Sequence, residues 1–348
     1  MKCMLIAITL GLLSNGALPA QEKPTDSPRP SVRQAESNIT SPSVYGQENL
    51  SSLLLNDSGL RAAVPILGEK DEYPEFTREL FEVQWRPNDA IDLYVIKPHG
   101  VAKPPVVLYL YSYPSETDRF RDNDYCKRVT SNGYAAIGFV PALTGQRYHD
   151  RPMREWFVSE LPDSITESVH DVQMILRYLS ERGDFDMGRV GIFGNGSGAT
   201  IAILAAAVDP QVRAVDALQP WGDWPTWLAK SSLIPEAERA TYLKPEFLDR
   251  VAPLDPVQWL GRVQNKALRI QFVLDDRVTP AVAIQHMKGA VPSSALVLEY
   301  PTKRQQYQLL SGGRAFDWIK EQLHAPDAPS ANARADTSEH KAQSGRTK

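Results

Sequence analysis

Cysteine is nearly absent from this chain: Cys3 and Cys126 are the only two among 348 residues. Cys3 lies in a leader-like segment, which leaves Cys126 alone and excludes an internal disulfide framework in the mature protein. Histidine is sparse as well, with six residues scattered from His99 to His340, and no Cys/His spacing suits a metal site. A basic excess is missing: 38 Lys and Arg stand against 42 Asp and Glu, a formal charge of −4. That balance argues against nucleic acid or an anionic membrane as partner. No apolar run approaches the roughly 20 residues of a membrane span, and no internal repeat is visible.

Residues 1–20 are expected to be a secretory signal. Lys2 precedes the apolar run Met4–Leu13, and small residues follow to Ala20. This predicts an exported protein, periplasmic or extracellular, with no membrane attachment once the leader is cleaved. Residues 21–59 are rich in Pro, Ser, Asn and Gln and read as a flexible segment. Residues 325–348 read as a disordered tail. The expected folded domain is 60–324.

Extended and helical runs alternate within it. Glu79–Trp85 and Ile91–Ile96, joined by Arg86-Pro87-Asn88-Asp89, predict an antiparallel hairpin. Val106–Tyr111 and Tyr134–Val140 predict further strands. Ser164 and Glu167 have capping-box spacing, and Ile165, Val169, Val172, Leu176 and Leu179 share a helical face that Gly183 ends. After a strand at Val212–Leu218, residues 221–263 predict a helical insertion rich in Trp and Pro. Strand, helix, strand, helix then follow to Leu323. Such alternation implies one α/β domain with a mainly parallel sheet.

The sharpest signal is RVGIFGNGSGATIAI, Arg189–Ile203, which reads strand, glycine turn, helix. Three readings fit this layout. A nucleophile elbow would present a serine at the corner. A dinucleotide site would use Gly194, Gly196 and Ala199 as G-x-G-x-x-A, with Asp216 about 20 residues on as the ribose acid. A purely structural corner needs the glycines only for close packing.

The order of parts resembles the α/β-hydrolase superfamily, particularly its dienelactone-hydrolase and prolyl-oligopeptidase-like branch. The resemblance rests on the hairpin, the glycine turn, Trp221-Gly222-Asp223-Trp224, Ala252-Pro253-Leu254-Asp255 and LDDRVTP from Leu274 to Pro280. It implies an α/β-hydrolase fold: a mainly parallel sheet of about eight strands, helices on both faces and a helical cap at about 221–263. It also implies a Ser, Asp, His triad with a backbone oxyanion hole, and no cofactor or metal.

Counted from the turn, Gly196 occupies the nucleophile position and Ser197 the one after it. Ser197 is the serine candidate in a shifted register, and the alternative reading makes it a hydroxyl near the helix N-terminus. Asp276, four residues before Pro280, is the expected acid, with Asp275 as alternative. No His follows the last strand; Gln305 or a neighbour stands there, and neither Gln nor Arg can accept a proton from serine at neutral pH. His149 is the one loop imidazole with access to the sheet's C-terminal edge, while His286 and His324 read as surface residues and His170 as part of the helix from Ser164, away from the site. The string Tyr111-Ser112-Tyr113-Pro114-Ser115 lacks the glycines of an oxyanion loop. The expectation is an impaired serine hydrolase that keeps a pocket for a small ester, peptide or other ligand, lined by Tyr113, Trp221, Trp224 and Trp227. Active ester or peptide hydrolysis through Ser197 is the alternative, and nucleotide binding a third.

Overall fold

A computed structural model describes residues 32–33, 50–113, 117–142, 147, 158 and 160–324. The expected leader, most of the 21–59 segment, the 325–348 tail, His149, Pro114 and Ser115 lie outside the described residues.

One ten-stranded sheet organises the domain. In chain order the strands are β1 (Val32–Arg33), β2 (Ile66–Glu72), β3 (Phe76–Arg86), β4 (Asp89–Pro98), β5 (Pro105–Leu110), β6 (Ala135–Phe139), β7 (Asp186–Asn195), β8 (Val212–Leu218), β9 (Ala267–Val273) and β10 (Leu296–Tyr300). Across the sheet they run β1-β10-β9-β8-β7-β5-β6-β4-β3-β2. The six from β5 to β10 are parallel where they pair, and β2, β3 and β4 extend the sheet antiparallel beyond β6. The opening hairpin is therefore present, and the sheet exceeds the expected eight strands at its two edges. β2 escaped the sequence pattern because Glu69-Lys70-Asp71-Glu72 carries no apolar alternation; it is an exposed edge strand.

Every side chain of β5 and β6 is buried, as a strand covered on both faces requires. The helix Ser197–Val208 has no polar face and is buried on nearly all sides. The long helix begins at Leu161, one turn before the expected capping box. Pro162 supplies the first turn, where its missing N–H costs nothing. Ser164 is thus internal, its carbonyl accepting from the Ser168 hydroxyl at 2.7 Å. Gly183, at φ 70, ends the helix as expected.

Two polar networks fix the frame. Asp171, fully buried on the long helix, accepts from Trp85 Nε1 (2.7 Å), Arg86 Nη1 (2.5 Å) and Arg147 Nη1 (2.6 Å). Arg147 also pairs with Asp89, so one carboxylate ties the hairpin to the helix. Leu53, within the segment read as flexible, is fully buried, and Gln173 Nε2 donates to its carbonyl at 2.8 Å.

Candidate active site

β7 delivers the chain to Gly196, which turns at φ 56, ψ −121 before the helix starts at Ser197. This conformation is open to glycine and strained for any other residue. The corner is compact: Gly196 N donates to Leu218 O at 2.9 Å, and a Cβ on Gly198 would stand 2.6 Å from the Leu110 carbonyl carbon. It is the sharp strand-to-helix turn on which a nucleophile elbow is built, with glycine at its apex.

The space above that apex is filled. A Cβ on Gly196 would lie 2.7 Å from Ser112 Cβ, still closer to Ser112 Oγ, and 3.3 Å from Trp221 Nε1. Ser112, from the segment after β5, thus stands where a nucleophile's side chain would emerge. The next residue of that segment engages Ser197: Tyr113 N donates to Ser197 Oγ at 3.0 Å. Ser197 is 2% exposed. A backbone N–H from this loop is what an acyl enzyme aims at a developing oxyanion; here a serine hydroxyl of the protein takes it.

The expected carboxylate is present after β9. Asp276 follows β9, and its Oδ2 accepts from Gln219 Nε2 at 2.9 Å and from Thr279 N at 3.3 Å. Gln219 reaches it from a left-handed backbone, φ 51, while its Oε1 accepts from Val273 N at 2.6 Å. Where a base would approach, Lys303 Nζ stands 2.9 Å from Asp276 Oδ1. The residue facing the acid after the last strand is therefore Lys303 and not Gln305, whose N–H bonds to Thr302 Oγ1. Asp275 turns to the same segment, its Oδ1 accepting from Lys303 N at 3.1 Å.

Four imidazoles lie among the described residues, and none bonds to Ser197. His99 contacts Thr77 and Pro74, and His324 packs on Tyr134. His170 is buried on the long helix, where burial and Arg86 hold its protonation below the usual range. His286 is exposed, as expected, but its Nδ1 meets the buried carboxylate of Asp223 at 2.5 Å. Sequence reading missed this pair because its members are 63 positions apart and belong to no common motif.

The expected pocket residues are placed otherwise than anticipated. Trp221, Trp224 and Trp227 are enclosed in the main core, with Trp221 stacked on Trp227 at 4.9 Å and Trp224 edge-on to Trp227 at 5.7 Å. They fill the joint between the insertion and the sheet instead of lining an opening, and Tyr113 packs partly buried against the same core. The nucleotide reading is corrected as well. Asp216 lies inside β8, fully buried, chelated by Arg269 (2.9 and 2.5 Å) and bonded to Gln271 Nε2 (2.7 Å). It offers nothing to a ribose. A Cβ on Gly194 would lie 2.5 Å from Ala199 Cα, so these residues serve helix–strand packing.

Residues 91–243 match the dienelactone hydrolase family. The solved structures that the fold resembles include acetyl xylan esterase 1 from Thermoanaerobacterium sp. JW/SL YS485, with 16% identity, TM-score 0.60 and coverage of 79% of this chain and 92% of that one. The acetyl xylan esterase from Paenibacillus sp. R4 shows 15% identity, TM-score 0.57 and coverage of 77% and 91%. The acylaminoacyl peptidase of Pyrococcus horikoshii gives 16% identity and TM-score 0.51, matching 72% of this chain but 40% of that longer one. At such identities the likeness is one of fold. Among curated proteins no sequence match was found. With this sheet order and glycine turn, the chain has the α/β-hydrolase fold, and within it residues 91–243 match the dienelactone hydrolase family.

Proposed function

We propose that this is an exported member of the superfamily that has kept the hydrolase frame and given up acyl-transfer chemistry. The observation that carries the reading is the seat above Gly196, where Ser112 stands in place of a nucleophile. Three other features support it. Ser197, next in the chain after the apex, is held as an acceptor by Tyr113 N and has no imidazole bonded to it among the described residues. Asp276 faces an ammonium, which cannot take a proton while it is charged. General-base catalysis needs an acceptor within about 3.2 Å of the attacking hydroxyl.

A small ester, peptide or related ligand, held without being cleaved, is the class of compound that such a frame would take. The relatives in structure are acetyl xylan esterases and an acylaminoacyl peptidase, so acetylated sugars and short acyl-peptides are the compounds to try first. The leader-like order of Lys2, the Met4–Leu13 run and Ala20 supports export. The test is a turnover assay of the purified protein on nitrophenyl acetate, acetylated xylo-oligosaccharides and acyl-peptides. No rate above buffer is expected. A rate that Ser197→Ala removes would sink the reading in favour of a hydrolase working through Ser197.

A further inference from the structure

The insertion between β8 and β9 is closed by one carboxylate. Asp255, fully buried, accepts from Asp223 N (2.9 Å) and Val257 N (3.1 Å) on Oδ1 and from Trp224 N (2.9 Å) on Oδ2. It thereby joins the first residues of the insertion to a segment near its end. Asp223 carries the tie onward, its 2%-exposed carboxylate meeting Nδ1 of the half-exposed His286 on the core helix Ala281–Ala290. The backbone of Asp223 sits at φ 55, ψ 61, a left-handed conformation uncommon for a residue with a side chain. Beside it, a Cβ on Gly222 would lie 2.6 Å from Pro256 Cγ, so the two ends of the insertion are packed without slack.

This places two buried carboxylates and an imidazole in one seam. The titratable groups around Asp255 are Asp223, from the loop after β8, and behind it His286, from the helix after β9; the segment after Asp255 contributes the Val257 N–H. We propose that the cluster is a proton-governed clamp on the insertion, which mild acid closes and rising pH loosens.

The direction follows from where a proton is held more tightly. Burial, with the Asp223 carboxylate adding to it, raises Asp255 to about 6 against an ordinary 3.8, although the three N–H bonds pull the other way. Once the seam opens, Asp255 is in water and returns to its ordinary value. The closed state therefore binds the proton better, and protonation favours closure. Between these two values, linkage makes opening about tenfold more frequent at pH 7.5 than at pH 5.0.

The experiment is backbone amide exchange of the full chain at Asp223, Trp224 and Val257, corrected for intrinsic rates, at pH 5.0 and 7.5. About tenfold more opening at the higher pH is expected, and a flat profile in Asp255→Asn. Equal opening at both pH values, an inverse trend, or an unchanged pH step in Asp255→Asn overturns the clamp. Should Asp255→Asn not fold, carbon NMR of the wild-type Asp255 carboxyl decides: a midpoint near 6 supports it and one at or below 4 refutes it.

Discussion

At position 196 any side chain meets two obstacles, a backbone at φ 56 and the atoms of Ser112. Restoring a serine there is therefore expected to destabilise the protein without creating activity. The backbone term is about 1–3 kcal/mol, and overpacking adds about 1–3 kcal/mol. Pairing Gly196→Ser with Ser112→Gly removes the second cost, so urea denaturation should show the double variant to be more stable than Gly196→Ser alone. Additive losses in that cycle would mean that Ser112 does not occupy the seat. Ser197→Ala is expected to cost about 1–2 kcal/mol, since Tyr113 N loses its acceptor. Little of this was legible in the chain. Counting along the turn puts Gly196 at the apex, but that Ser112 fills the space depends on how the segment after β5 folds over a strand 84 residues further on. The partner of Asp276 is similar: that no His follows the last strand is plain in the sequence, and that Lys303 meets the carboxylate is settled only by packing.

Among the elements, the parallel strands and the helix after the turn were readable because each carries an unbroken apolar run. Edges were not, since β2 is mostly charged and exposed and β1 is only two residues long. The Trp residues of the insertion were visible as a group, but composition does not distinguish a ligand-facing aromatic from a packed one; enclosure does. The short helix Leu50–Leu53 belongs to the folded domain, with Leu53 in the core. Leu53→Ala is expected to lose about 2–5 kcal/mol in urea denaturation; a change below about 0.5 kcal/mol would detach this helix from the fold. Asp171 serves three elements at once. Asp171→Asn leaves Arg86 and Arg147 facing a neutral group in the interior and is expected to cost about 3–5 kcal/mol, measured the same way.

For the whole molecule, alkaline pH is the condition that its buried groups resist least. Burial raises Cys126 from 9.0 to about 11 and Tyr134 from 10.0 to about 12, and lifts Tyr109 and Tyr125 well above 10. Each holds its proton in the fold after the unfolded chain has released it. Their contribution is thus complete below pH 9 and is lost as pH rises through the folded values, at up to about 1.4 kcal/mol per pH unit per group. Lys320 runs the opposite way: burial lowers it from 10.5 to about 8, so its contribution grows between those values. Lys266 is lowered too, but Tyr111, Tyr113, Tyr178, Tyr242 and Tyr300 join the raised acids, so stability falls on balance above pH 10, and Cys126→Ala should lessen the slope; denaturation midpoints from pH 8 to 11 test both. The central claim concerns the whole frame: an α/β-hydrolase fold retained around a corner that no longer presents a nucleophile. The most direct measurement is intact-mass and peptide analysis of the purified protein after exposure to a fluorophosphonate, which marks activated serines. The account predicts no adduct at Ser197, Ser112 or any other residue, whereas stoichiometric labelling of Ser197 that Ser197→Ala abolishes would contradict it.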